Sequence, residues 1–98
     1  MAIEVPEDRI REFCEKHRIR KLSLFGSVLR DDFTPASDVD VLVELERGYC
    51  IGFIRLGVME EDLSELLSHK VDLNTPGLIS PYFRDEVLSE AEAVYDEA

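Results

Sequence analysis

Three stretches of the chain alternate apolar and polar residues with period two, and three others repeat apolar residues at helical spacing. The clearest alternation is Val39 to Leu45. Val39, Val41, Val43 and Leu45 form an apolar, mostly β-branched face, and Asp38, Asp40, Leu42 and Glu44 form the other, which predicts a strand with one face in the core. Lys21 to Phe25 predicts a shorter strand, with Leu22 and Leu24 opposite Ser23 and Phe25, ended by Gly26. A helical turn or two is expected from Ser27 to Asp32. Val71-Asp72-Leu73 predicts a third, brief strand closed by the Asn74-Thr75-Pro76-Gly77 turn.

The helical patterns lie around these strands. Pro6 at a first helical position, with Glu7 and Asp8 in the first turn, starts a helix over residues 7–17 whose apolar side is Ile10, Phe13, Cys14 and His17. Ile51 to Ser68 repeats apolar residues at Phe53, Leu56, Met59, Leu63, Leu66 and Leu67. Gly57 costs this helix about 1 kcal/mol relative to alanine. Ser80 as N-cap and Pro81 after it predict a last helix through Tyr95, with Phe83, Val87, Leu88, Ala91 and Val94 on its apolar side and acids on the other. A helix between the second and third strands lets them be parallel neighbours through a right-handed crossover. The expected class is α/β (α+β): a small mixed sheet of about three strands flanked by helices, in one domain over residues 1–98.

Composition narrows the partners. Residues 1–22 carry six basic and five acidic side chains, whereas residues 23–98 carry five and seventeen, so the net charge of −11 falls on the later part. An acidic surface repels nucleic-acid phosphate, so no stable nucleic-acid binding is expected. The balance favours a metal, a nucleotide carried in with its metal, or a basic protein. The one basic cluster, His17 to Lys21, reads first as cations at a helix C-terminus. No apolar run approaches the ~20 residues of a membrane span, and the charged N-terminus offers no signal-peptide core, so no membrane association and a cytoplasmic location are expected. Cys14 and Cys50 have no metal-ligand spacing and read as reduced, structural residues.

The candidate chemistry lies between Leu22 and Leu45. Asp38 and Asp40, at i and i+2 on a strand, project to one face roughly 6 to 7 Å apart, a spacing suited to a shared divalent metal. Gly26-Ser27, where a strand turns toward a helix, offers backbone N–H groups and a hydroxyl to a phosphate. Arg30 either reaches that phosphate or pairs with Asp31 or Asp32.

The run from Gly26-Ser27 through Arg30 to Ser37-Asp38-Val39-Asp40, set between apolar strands and followed some thirty residues on by Val71-Asp72-Leu73, resembles the nucleotidyltransferase signature of the DNA polymerase β superfamily. With one helix before the Gly-Ser strand and a proline-started helix at the end, nearly the whole chain resembles the minimal nucleotidyltransferases, the MNT or MntA type. The resemblance implies a polymerase β palm-like fold and a Mg²⁺-dependent enzyme that transfers AMP from ATP to a tyrosine of a HEPN-domain toxin, as the antitoxin of the pair. It further implies Asp38, Asp40 and Asp72 as catalytic and metal-holding residues for two Mg²⁺ ions, and Gly26, Ser27 and Arg30 as the phosphate site. Attack on the α-phosphate would release pyrophosphate, with no Cys, His or Ser nucleophile required. Two positions depart from the family. Val28 stands where a basic residue often follows Gly-Ser, and Asp31 stands where a Gly often follows the Arg, which together would weaken nucleotide binding. The alternative is a catalytically weak or inactive module that neutralises a toxin through its acidic surface. Transfer to a small molecule such as an aminoglycoside is a weaker option, since no second domain remains to form its pocket.

Overall fold

In the computed structural model, which describes residues 3, 5–29, 33–34, 36–48, 51–76 and 80–96, the alternating segments form one mixed sheet. Its strands are β1 (Ile19–Phe25), β2 (Val39–Leu45), β3 (Val71–Asn74) and β4 (Glu92–Asp96), in the spatial order β3-β2-β1-β4. β1 runs antiparallel to β2 and β4, and β2 runs parallel to β3. The helices are α1 (Glu7–Lys16), α2 (Phe53–Leu67) and α3 (Pro81–Glu90), and a 3₁₀ turn, Gly26–Leu29, follows β1. Pro6 takes the N-cap of α1, one position before the expected one.

The apolar strand faces and the helical stripes meet as the periodicity requires. Leu22 and Leu24 of β1, Val39, Val41 and Val43 of β2, and Val71 and Leu73 of β3 are buried against Ile10, Phe13 and Cys14 of α1 and Met59, Leu63 and Leu67 of α2. Each such aliphatic side chain, fully buried, contributes about 1.5–3 kcal/mol. The parallel β2-α2-β3 unit is the expected crossover.

Two expectations change. The last helix stops at Glu90, and Glu92–Asp96 is a strand, so the sheet has four strands. Helical spacing at Val94 and Tyr95 lost to the open edge of β1, whose backbone groups are satisfied when Lys21 pairs with Asp96 and Leu24 with Glu92. Ala91 leaves the helix in extended geometry (ψ 135°), which turns the chain toward that edge. Exposure also differs from the expected stripes. Phe53 is 82% exposed in the first turn of α2, and Phe83 and Leu88 of α3 are exposed too.

β3 and β4 lie at opposite edges, so the segment that carries α3 runs from one edge of the sheet to the other, and strand alternation leaves the sheet a second face turned away from α1 and α2. Ser23 and Leu42, on that second face, are each 2% exposed. No helix among the described residues is long and apolar enough to cross a membrane. Arg30, Asp31, Asp32 and Cys50 lie outside the described residues.

Candidate active site

At one end of the sheet, three strands bring the acidic and phosphate-site residues to a common face. Phe25 at the end of β1 pairs with Asp40 of β2, and Asp40 pairs in register with Asp72 of β3. Buried Val39, Val41, Val71 and Leu73 point into the core, so strand alternation turns Asp38, Asp40 and Asp72 to the opposite face. Asp40 is half-buried, and Asp38 and Asp72 are exposed.

Gly26 turns the chain at φ +77°, a left-handed conformation that glycine adopts without strain. A Cβ there would run into the Asp40 carboxylate, lying inside contact distance of Oδ2 and 3.2 Å from Cγ. The backbone of the Gly-Ser turn therefore rests directly against the carboxylate of the second Asp. Ser27 opens the turn half-buried, and Val28 behind it is buried in the core, so Val28 anchors the turn and contributes no charge to the site. On the approach to β2, Ser37 donates its N–H to the Thr34 carbonyl (2.9 Å) and accepts the Thr34 N–H on Oγ (3.1 Å), which fixes the residue before Asp38.

β3 is an edge strand, and α2 holds its open side. Glu60 Oε2 accepts the N–H of Leu73 at 2.9 Å, and Ser64 Oγ accepts the N–H of Val71 at 3.0 Å while donating to the Glu60 carbonyl at 2.8 Å. These bonds bracket Asp72 on both sides and leave the edge with fewer free donors. Sequence reading passed over Glu60 and Ser64. The available signal was two polar residues, one turn apart, placed beside the buried Met59-Leu63-Leu67 stripe. Glu44, on the acid face but farther along β2, is occupied by Arg20, whose Nη2 donates to Oε1 at 3.0 Å.

The donor set is all oxygen, and Asp40 and Asp72 sit on neighbouring strands about 4.8 Å apart. That chemistry suits a hard cation such as Mg²⁺. Among the described residues, however, no three His, Cys, Asp or Glu side chains converge far enough to hold a metal. Carboxylates repel one another until a cation lies between them, so side chains that share a face can stay apart.

His17, expected on the apolar side of α1, is 2% exposed and stacks on Phe13 with ring centroids 4.7 Å apart. Its Nε2 lies 3.6 Å from Asp62 Oδ2, too far for a hydrogen bond, and neither ring nitrogen has a hydrogen-bond partner. Burial, helped by the nearby Lys16 and Arg55 cations, lowers its pKa below 6.5 against the weaker pull of Asp62. His17 is a structural residue of the seam between α1 and α2, away from the acid face.

Residues 7–94 match the family model of the nucleotidyltransferase domain. A Methanocaldococcus jannaschii chain that carries the name protein adenylyltransferase is 36% identical over 91 residues, covering 93% of this chain and 96% of its own. The protein adenylyltransferase MntA of Thermococcus cleftensis is 39% identical over 64 residues, 64% of this chain and 62% of its own. Among solved structures, a toxin–antitoxin complex with AMP-PNP superposes with a TM-score of 0.76 at 19% identity, covering 94% of this chain and 74% of that one. A tri-AMPylated Shewanella oneidensis HEPN toxin in complex with MNT antitoxin gives 0.67 at 20% identity, covering 92% and 69%. At these identities the two complexes establish the shared fold.

Proposed function

The chain belongs to the nucleotidyltransferase domain family, in its minimal, MntA-type branch of protein adenylyltransferases, and from that premise we propose that it transfers AMP from ATP to a tyrosine hydroxyl of a HEPN-domain toxin. The observation that carries this reading is the register pair Asp40–Asp72 with the Gly26 backbone against the Asp40 carboxylate. With that pair, the Gly-Ser turn lies beside two acids that share one rung, an arrangement suited to a phosphate and its metal.

The roles follow from position. The Gly26 and Ser27 backbone N–H groups and the Ser27 hydroxyl receive the terminal phosphates of ATP. Asp38, Asp40 and Asp72 would hold Mg²⁺, which when bound would offset the charge on the phosphate oxygens. Exposed Asp72 lies on the side where an acceptor hydroxyl can approach. The acceptor oxygen bonds to the α-phosphorus as the bond to the bridging oxygen breaks, pyrophosphate leaves with those electrons, and the hydroxyl proton passes to solvent. Arg30 is a further phosphate ligand in this scheme. The 98 residues act as one cytoplasmic domain, and the acceptor arrives on the partner. Phe53 and Ile54, 82% and 88% exposed on α2, provide apolar surface of the kind that partners cover.

Transfer is tested with ATP labelled at its α-phosphate and a cognate HEPN protein. The Asp38→Ala/Asp40→Ala double variant is expected to abolish labelling of the partner, and undiminished labelling would refute the mechanism. A second reading, neutralisation by binding alone through the acidic surface, rests on the net charge of −11. Toxin neutralisation by the wild-type chain with no transfer under saturating Mg²⁺-ATP would establish it.

A further inference from the structure

Lys70 stands on the same face as the three acids. Val39 N–H donates to the Lys70 carbonyl at 2.8 Å, a bond of the Val39–Val71 pair that holds the residue directly before β3 against the start of β2, where Asp38 directly precedes Val39. Val71 and Leu73 are buried, so alternation sends Lys70 and Asp72 together to the outer face, where both are exposed. Asp40 and Asp72 therefore share one rung, and Asp38 and Lys70 directly precede the paired residues Val39 and Val71 at the start of the two strands. Rungs carrying same-face residues are separated by about 6.6 Å along a strand and about 4.8 Å between strands.

Charge makes this lysine conspicuous. Residues 23–98 carry only five cations against seventeen acids. Of these five, Arg47 follows β2 at its far end, Arg55 lies on α2, Arg84 on α3, and Arg30 outside the described residues. Arg11, Lys16 and Arg20 lie in ion pairs and His17 lies against Asp62, and Lys70 takes part in no ion pair among the described residues. An exposed ammonium on a flexible stem beside three carboxylates is placed to receive an anion that those carboxylates would otherwise repel. Val28, buried behind the Gly-Ser turn, offers no competing charge there.

Resting on the nucleotide reading above, we propose that Lys70 is a phosphate-binding residue that engages the triphosphate tail of the nucleotide on the acid face. It provides, directly before β3, the cation that the Gly26–Leu29 turn lacks. Its contribution scales with the number of phosphates and leaves the nucleoside unread.

The test is equilibrium binding of ATP and of AMP, each with Mg²⁺, to the intact wild-type chain, to Lys70→Met and to Lys70→Arg. Lys70→Met is expected to weaken ATP about tenfold, the worth of one charge-assisted hydrogen bond, and AMP by much less. Lys70→Arg is expected to stay within about threefold of wild type, because it keeps the charge. Since Lys70 is exposed, the thermal midpoint of each variant should match wild type, which separates lost binding from lost fold. Unchanged ATP affinity in Lys70→Met, an equal loss for AMP and ATP, or no rescue by Lys70→Arg would overturn the assignment. Failure of the wild-type chain itself to bind ATP would instead overturn the nucleotide reading, and this assignment with it.

Discussion

Replacing Gly26 by alanine tests the contact on which the site is built. Two costs can be read from the structure. The position has φ +77°, where a residue with a Cβ is strained by about 1–2 kcal/mol. The new methyl also meets the Asp40 carboxylate, with Cγ at 3.2 Å, and forcing Asp40 off its rotamer costs about 0.5–1.5 kcal/mol more. The expected loss is about 2–3 kcal/mol, which for a domain of this size lowers the thermal midpoint by roughly 10–20 °C. Urea unfolding of Gly26→Ala, Asp40→Ala and the double variant separates the two costs. The backbone strain persists in the double variant and the collision does not, so a coupling of about 1 kcal/mol is expected between the positions. Transfer should fall together with stability, since the methyl displaces an acid from the face and blocks close approach of a phosphate. Wild-type stability in Gly26→Ala, or strict additivity in the cycle, would refute the placement of Asp40 against this turn.

Other predictions follow from contacts outside the turn. Glu60→Ala leaves the Leu73 N–H without its charged acceptor and is expected to cost about 1.5–3 kcal/mol by urea unfolding; Glu60→Gln, which keeps an acceptor oxygen, should recover part of that. If the β3 clamp positions Asp72, kcat should drop more than KM rises. His17 has a folded pKa below its unfolded value, so the unfolded chain binds more protons between the two values. Stability should therefore be fully present above about pH 6.5 and be lost as pH falls from there through the folded pKa, and His17→Gln should flatten that part of the curve. Phe53→Ser with Ile54→Ser should weaken association with a HEPN partner, by gel filtration or calorimetry, while the chain's own unfolding free energy stays within about 0.5 kcal/mol of wild type.

Sequence alone determined the elements whose signals are local. Alternation placed Val39–Leu45 as a strand with its acids on one face, because a strand must turn successive side chains to opposite sides. Ser80 was legible as the N-cap of α3 and accepts the Tyr82 N–H at 3.4 Å. The Gly-Ser turn, the Asp-x-Asp pair and Val71-Asp72-Leu73 carried the family, which the nucleotidyltransferase domain match over residues 7–94 establishes.

Tertiary structure decided whatever depended on distant backbone or on register. Glu92–Asp96 has helical spacing, yet the unpaired edge of β1 made it a strand, since satisfying those backbone groups outweighs a weak local preference. Asp72 sits beside Asp40, and the Lys70 carbonyl against the Val39 N–H, because of the parallel register of β2 and β3, which no spacing along the chain encodes. The roles of Glu60 and Ser64 arise only where α2 lies along the open side of β3. The close fit of Gly26 to Asp40 likewise depends on two strands fifteen residues apart being brought into pairing. The sequence thus named the chemical groups of a candidate site, and packing chose which of the described ones share a face.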